Sequence, residues 1–263
     1  MKDKLMVVKI GGNIIDHPTA LDNFLSEFAR KPGKKILVHG GGKIATEISK
    51  KLGIVSQFVE GRRVTSAEEL EVVTMVYGGL LSKKISAKLN ALGCKTLGLS
   101  GADAGILTAE KRSPTPVDYG FVGDIQTIQK QHLLDLLNSD FNLAFCALTG
   151  DNAGQLLNTN ADTIAASLAI ALANHFEVDL YYIFEKKGVL ERLADENSVI
   201  PVIDKGTFEN LKAEGKIHTG MLPKLSNALE AVEKGVKKVV ISDPAFFAED
   251  HPYCTIIKSK ADA

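Results

Sequence analysis

Apolar runs alternate with amphipathic stretches from one end of the chain to the other. Residues 5–10 form a short apolar run, interrupted by Lys9, that reads as a buried strand. Leu21, Phe24, Leu25 and Phe28 recur at i, i+3, i+4, i+7, the spacing of one helical face. Residues 35–38 read as the next strand. A helix follows, with Ile44, Ile48 and Leu52 on one face and Gly53 as its stop. Ser66 and Glu69 form a capping-box pattern that starts another helix. Leu81, Ile85, Leu89 and Leu92 trace one more, closed by Gly93. Residues 96–99 are a strand. Residues 119–128 and 143–157 read as hairpin material, the second around a turn at 150–154. Ile164, Leu168 and Leu172 line a helix, 180–184 a strand, and Leu222, Leu225, Leu229 and Val232 the last long helix. Strands at 239–242 and 255–258 close the sheet. This alternation predicts an α/β fold with a mainly parallel sheet covered on both faces. Ligands of such sheets bind beyond the carboxyl ends of the strands. No low-complexity linker and no internal repeat interrupts the pattern.

The 263 residues suffice for one large α/β domain or two tightly joined lobes. A net charge of -1 gives no electrostatic reason to expect nucleic acid or an anionic membrane as partner. Anionic small molecules remain open, because local positive charge can sit in a neutral chain. Cys94, Cys146 and Cys254 contain no CxxC pair, so neither a zinc ribbon nor a disulfide framework is readable. Buried, reduced thiols of a cytoplasmic protein are the expectation. The run at 5–10 lacks the length and cleavage signal of a secretory peptide. The apolar stretch at 165–173 is a short buried helix, too short to span a bilayer.

Several residues break the local rules. Lys9 stands at the carboxyl end of an apolar strand, just before Gly11-Gly12. A buried ammonium is costly unless it meets an anion, although a strand-edge lysine can also snorkel to solvent. Gly40-Gly41-Gly42 joins a strand to a helix, where glycines admit close backbone approach and helix N–H groups attract phosphate or carboxylate. Ile44 stands where a Walker A loop needs Ser or Thr. The run Gly40-x-Gly42-x-x-Ala45 does match the dinucleotide fingerprint, which leaves an NAD-binding oxidoreductase as a competing reading. Arg63, on a loop before the capping box, can clamp a carboxylate through two parallel hydrogen bonds, or simply be solvated. In Asn158-Thr159-Asn160-Ala161-Asp162, Asn160 is a good N-cap and Asp162 complements the helix dipole. Lys224 follows Thr219, which looks like an N-cap, and opposes the dipole of its helix unless an anion sits there. His39 reads as structural rather than as a base.

The ordered set Lys9-Ile10-Gly11-Gly12, Val38-His39-Gly40-Gly41-Gly42, Arg63-Val64-Thr65, Asn158-x-Asn160-Ala161-Asp162 and Gly220-Met221-x-x-Lys224 resembles the acetylglutamate kinase family of the amino acid kinase superfamily, across essentially the whole chain. That resemblance implies an open αβα sandwich and ATP-dependent phosphorylation of the γ-carboxylate of N-acetyl-L-glutamate, the second step of arginine biosynthesis. It implies an N-terminal lobe, 1–174, for acylglutamate binding and dimerisation, and a C-terminal lobe, 175–263, for ATP with Mg²⁺. Carried over by position, Lys9 and Lys224 would neutralise the transferring phosphoryl group from either side, with Asp162 holding both lysines. Backbone N–H groups of Gly12 and Gly41 would contact the phosphoryl oxygens. Gly41, Gly42, Arg63 and Asn158 would bind the acylglutamate, with Arg63 on its α-carboxylate. The segment 184–189 departs from the family's usual Asp-Val-x-Gly pattern. No metal ligand is implied among the side chains.

A carboxylate is already deprotonated at pH 7, so attack on the γ-phosphorus needs no general base. It needs fixed positive charge and N–H donors, which lysines and glycines at strand ends supply. Alternatives of the same class are N-succinylglutamate as acceptor, glutamate 5-kinase or carbamate kinase; a catalytically silent metabolite sensor is a further one. Four residues precede the first strand, whereas arginine-inhibited members of the family carry an extra N-terminal helix that joins dimers into a ring. A homodimer without appreciable arginine inhibition is therefore the expectation.

Overall fold

The computed structural model describes residues 2–192, 194–217, 221–249 and 253–259, without the side chains of Pro223 and Glu249. In chain order the elements are β1 (Lys4–Ile10), α1 (Gly12–Asp16), α2 (Pro18–Arg30), β2 (Lys34–His39), α3 (Gly42–Lys51), β3 (Gln57–Val59), β4 (Arg62–Val64) and α4 (Ala67–Val73). A π-helical segment, Thr74–Leu81, leads into α5 (Ser82–Ala91), β5 (Thr96–Leu99), β6 (Leu107–Lys111), β7 (Gly123–Ile128), α6 (Lys130–Asn138), β8 (Asn142–Cys146), β9 (Leu148–Gly150) and β10 (Leu156–Asn158). Then come α7 (Ala161–Leu172), β11 (Glu177–Ile183), β12 (Val202–Ile203), α8 (Lys205–Ala213), α9 (Leu222–Glu233), β13 (Lys238–Ser242), α10 (Pro244–Glu249) and β14 (Thr255–Ile257). They form two compact units: Met1–Lys35 with Ala165–Ala263, and Ile36–Ile164.

In the first unit the strands lie in the order β12-β14-β13-β11-β1. β1, β11 and β13 run parallel, and β14 is antiparallel to β13. Leu5, Val7, Val8 and Ile10 of β1 are all buried. A strand buried on both faces carries a nearly continuous apolar run, which is what the sequence shows there. α2 buries Leu21, Phe24, Leu25 and Phe28. Phe24 meets Phe247 of α10 with ring centroids 5.2 Å apart, and Tyr181 meets the same ring edge-on. Lys35, almost fully buried, closes α2 by donating to the carbonyls of Phe28, Ala29 and Lys31 at 3.0, 3.0 and 2.6 Å. The orphan carbonyls of a helix end are thereby satisfied by a cation that also suits the dipole.

In the second unit β2, β8 and β5 are parallel neighbours. A four-stranded sheet, β10-β9-β6-β7, and the β3-β4 hairpin complete it. Cys94, Cys146 and Cys254 are all buried and unbridged. Among the described residues no helix is long and apolar enough to cross a membrane.

Three details differ from the sequence pattern. Residues 143–146 belong to the parallel strand β8, and only β9 and β10 form a hairpin around the 150–154 turn. The continuous apolar run of 143–146, buried on both faces, is the mark of a central strand. The partner of β7 is β6, whose sequence Leu-Thr-Ala-Glu-Lys carries a weak strand signal. On α3 the buried positions are Ala45 and Ser49, with Ile44 and Ile48 half-buried and Leu52 58% exposed. The small residues let α3 approach α4 and the π-helical segment closely, which rotates the larger side chains outward.

Candidate active site

The glycine turn after β2 is built on close packing. Gly41 has φ 151°, a region L side chains rarely adopt. A Cβ there would collide with Leu81 and press on Tyr77. Both lie in the π-helical segment, whose wider turns carry them under the loop. α3 starts at Gly42, so the first N–H groups of this ten-residue helix belong to the glycine turn.

Arg63, at the middle of β4, is buried, and its guanidinium is tied to four groups of the second unit. Nη1 donates to the Glu69 carboxylate at 2.5 Å and to Ser56 Oγ at 2.9 Å. Nη2 donates to the Gly42 carbonyl at 2.7 Å and to Thr46 Oγ1 at 2.6 Å. The guanidinium also lies over the Phe58 ring, 4.9 Å from its centroid. Arg63 is therefore not a solvated loop residue. It locks the glycine turn to the hairpin and to α4. Ser66 caps α4 by accepting from Glu69 N–H at 3.2 Å. The reciprocal half of the expected capping box is replaced, because the Glu69 side chain turns instead to Arg63 and to Ser56, whose Oγ donates to it at 2.5 Å.

Asn158 ends β10 and donates from Nδ2 to Thr65 Oγ1 at 3.0 Å, which ties it to the residue two beyond Arg63. Asn160 caps α7 as expected, its Oδ1 accepting from Asp162 N–H at 2.8 Å and Thr163 N–H at 3.1 Å. Asp162 is buried in the first turn of α7. Gly42 and Arg63 are thus joined by a hydrogen bond, Asn158 is held to Thr65 two residues beyond Arg63, and Asp162 follows on the same segment as Asn158.

In the first unit, Lys9 is half-buried one residue before the end of β1, in register with Tyr182 of β11. Gly12 opens α1 and is exposed, while Gly11 N–H is held by the Ile183 carbonyl at 2.8 Å. Lys224 is half-buried in the first turn of α9, where no acidic residue precedes it. Met221 takes the N-cap position; the Thr219 cap expected from the sequence, and Gly220, lie outside the described residues. Thr255 fixes the segment after β11: its hydroxyl accepts from Val189 N–H at 2.8 Å and donates to the Ile200 carbonyl at 2.7 Å. Among the described residues no three His, Cys, Asp or Glu side chains gather to hold a metal ion.

Burial lowers the His39 imidazole from its ordinary 6.5 to about 4, so it is neutral in the folded chain at neutral pH. The unfolded chain binds the proton first as pH falls. Stability from this group is present above pH 6.5 and is lost between 6.5 and about 4, by about 3 kcal/mol in all. Urea titrations at several pH values across that window should show a steeper decline for the natural chain than for His39→Asn. Equal slopes would refute the assignment.

Residues 4–243 match the amino acid kinase family. The chain belongs to the amino acid kinase family. Among relatives in this family, the acetylglutamate kinase of Cytophaga hutchinsonii is 52% identical over 239 residues, covering 90% of either chain. That of Bacteroides fragilis is 50% identical over 242 residues, covering 92% of this chain and 93% of the relative. The solved structure of smu.665 from Streptococcus mutans UA159 is 24% identical with a TM-score of 0.76, covering 97% of this chain and 98% of that one. It shares the amino acid kinase fold, an α/β architecture on a mainly parallel sheet. Residues around the glycine turn and Arg63 that pattern reading left out are Ser56, Thr46 and Tyr77, while Glu69 and Leu81 were read only as a capping-box and a helix-face residue. The available signal was Glu69 itself, an acid beside the apolar Leu70, Val72 and Val73 and six residues from Arg63.

Proposed function

We propose that the chain transfers the γ-phosphoryl group of ATP to the γ-carboxylate of N-acetyl-L-glutamate. The observation that carries this reading is 52% identity to an acetylglutamate kinase over 90% of both chains. The acylglutamate belongs to the lobe 1–174 and ATP to 175–263. The acceptor carboxylate is ionised at neutral pH, so the chemistry asks for charge neutralisation and alignment rather than a base. Lys9 and Lys224 act on the phosphoryl group from either side, and Asp162 keeps the two ammonium groups aligned. Gly12 and Gly41 donate backbone N–H groups to the phosphoryl oxygens. Gly41, Gly42 and Asn158 bind the acylglutamate, and Arg63 meets its α-carboxylate. Mg²⁺ travels on the ATP phosphates and offsets their charge.

The enzyme acts in the cytoplasm, in keeping with three buried, unbridged thiols. It works as a homodimer through the lobe that carries Met75 and Leu80, which are 55% and 53% exposed on one helical segment; light scattering checks this, and a monomer at assay concentration would refute it. The glycine turn that resembled a dinucleotide fingerprint serves the acylglutamate and the phosphoryl group.

The test is a hydroxamate-trapping assay with ATP and Mg²⁺, run side by side on N-acetylglutamate, N-succinylglutamate, glutamate and carbamate. Trapped acyl phosphate from N-acetylglutamate is the expected result. A preference for the succinyl compound would move the acyl specificity. No product from either acylglutamate, together with tight binding of NAD(H), would overturn the reading.

A further inference from the structure

His39 is the last residue of β2, follows the apolar Ile36-Leu37-Val38, and has 0% of its surface exposed. Burying an imidazole there is costly unless its polar atoms are used. Nδ1 lies 2.9 Å from the carbonyl oxygen of Gly40. A carbonyl can only accept, so Nδ1 carries the proton and Nε2 is left as a bare lone pair. Nε2 is buried and has no hydrogen-bond partner among the described residues. The whole hydrogen-bonding use of this side chain is its grip on one carbonyl.

That carbonyl belongs to the peptide joining Gly40 to Gly41. A trans peptide is planar, and its C=O and N–H point in opposite directions. Fixing the Gly40 oxygen on the His39 side therefore aims the Gly41 N–H the other way. Among the described residues no backbone carbonyl takes that N–H, whereas the Gly41 carbonyl accepts from Ala45 N–H at 2.9 Å. The rest of the turn is equally constrained. Leu81 and Tyr77 form its floor, and Arg63 and Thr46 both donate to the Gly42 carbonyl, at 2.7 and 2.8 Å. A Cβ on Gly40 would meet nothing within 4 Å, so the turn is open on that side.

We infer that His39 is a positioning residue for phosphoryl transfer: by holding the Gly40 carbonyl it aims the Gly41 N–H at the transferring phosphoryl group. The inference rests on the proposed function for the identity of that group. An N–H fixed before reaction stabilises developing charge without having to reorganise, which is where such donors gain their effect. Without the imidazole the Gly40–Gly41 peptide can rotate, and the donor is lost from the reacting geometry even though Gly41 is intact.

The experiment compares His39→Leu, which removes the donor, with His39→Asn, whose amide nitrogen occupies the place of Nδ1. For His39→Leu, kcat should fall at least about tenfold, with the KM for acylglutamate within about threefold of the natural value. His39→Asn should restore most of the loss. If His39→Leu does not fold, His39→Gln replaces it, since its amide sits at the Nε2 place and cannot grip Gly40. Equal activity in the donor-lacking and donor-keeping variants, or a kcat loss that follows the fall in thermal midpoint, overturns the inference. A second readout does not depend on turnover. The amide resonance of Gly41 is followed during titration with inorganic phosphate. It should shift in the natural chain and in His39→Asn but much less in His39→Leu; the same response in all three, or none in the natural chain, overturns the inference. A natural chain inactive on both acylglutamates but with that pattern of shifts would unseat the proposed substrate and leave the positioning role standing.

Discussion

Replacing Lys9 or Lys224 by alanine should lower kcat by at least about a hundredfold in each case. An anionic carboxylate must approach a polyanion, and charge then spreads over the equatorial phosphoryl oxygens. In the proposed reaction each ammonium would act on charge that grows toward the transition state, so its loss should fall on kcat more than on binding. The placement of both residues suits that role. Lys9 interrupts a buried strand at its carboxyl end, and Lys224 stands in the first turn of α9, where a cation opposes the helix dipole by a few tenths of a kcal/mol. Steady-state kinetics at saturating ATP and acylglutamate provide the measurement. A variant with natural kcat would return its lysine to an ordinary solvated role.

Arg63→Ala should have a double effect. Arg63 and Glu69 form a buried ion pair, with side chains 5% and 2% exposed. Removing one partner strands the other's charge, which costs about 3–5 kcal/mol. The substrate's α-carboxylate does not change during reaction, so the catalytic effect should appear chiefly in the KM for acylglutamate. Two further variants separate the effects. Glu69→Gln keeps an acceptor for Arg63 and should be milder, by about 1–3 kcal/mol. Arg63→Met combined with Glu69→Leu removes both charges and should recover much of the stability while the KM stays raised. Urea unfolding and kinetics on the same preparations check this. Recovery of KM along with stability would take Arg63 out of substrate binding, and a main effect on the KM for ATP would reverse the assignment of the lobes.

The central elements were legible because burial imposes a period. Leu21, Phe24, Leu25 and Phe28 have the spacing of one helical face, and the short apolar run at 5–10 reads as a strand. What escaped lies where burial is partial or the partner is remote in sequence. β6 alternates weakly and ends in Glu110-Lys111, so its pairing with β7 leaves little trace. The π-helical segment has no apolar period of its own, and two of its residues, Gly78 and Gly79, carry no side chain to reveal one. Among the candidate site residues, Lys9, Gly41 and Lys224 stood out because each breaks a local rule, whereas Asp162, which suits the dipole of its helix, stood out only through the family resemblance. Glu69 did not stand out, because it satisfied a local rule: an acid three residues after an N-cap serine has a sufficient local explanation. Only the fold brings Arg63 and Ser56 to it.

The three buried thiols equip the chain with its own probes of internal motion. Cys94 and Cys146 belong to one compact unit and Cys254 to the other. Burial has pushed the Cys146 thiol up to about 12 and raised that of Cys254 as well. A thiol held protonated and out of water reacts with a disulfide reagent only after the surrounding structure opens. Labelling rates at the individual cysteines thus report the opening of each unit separately. Adding ATP or acylglutamate alone would slow the clock of the unit each one braces.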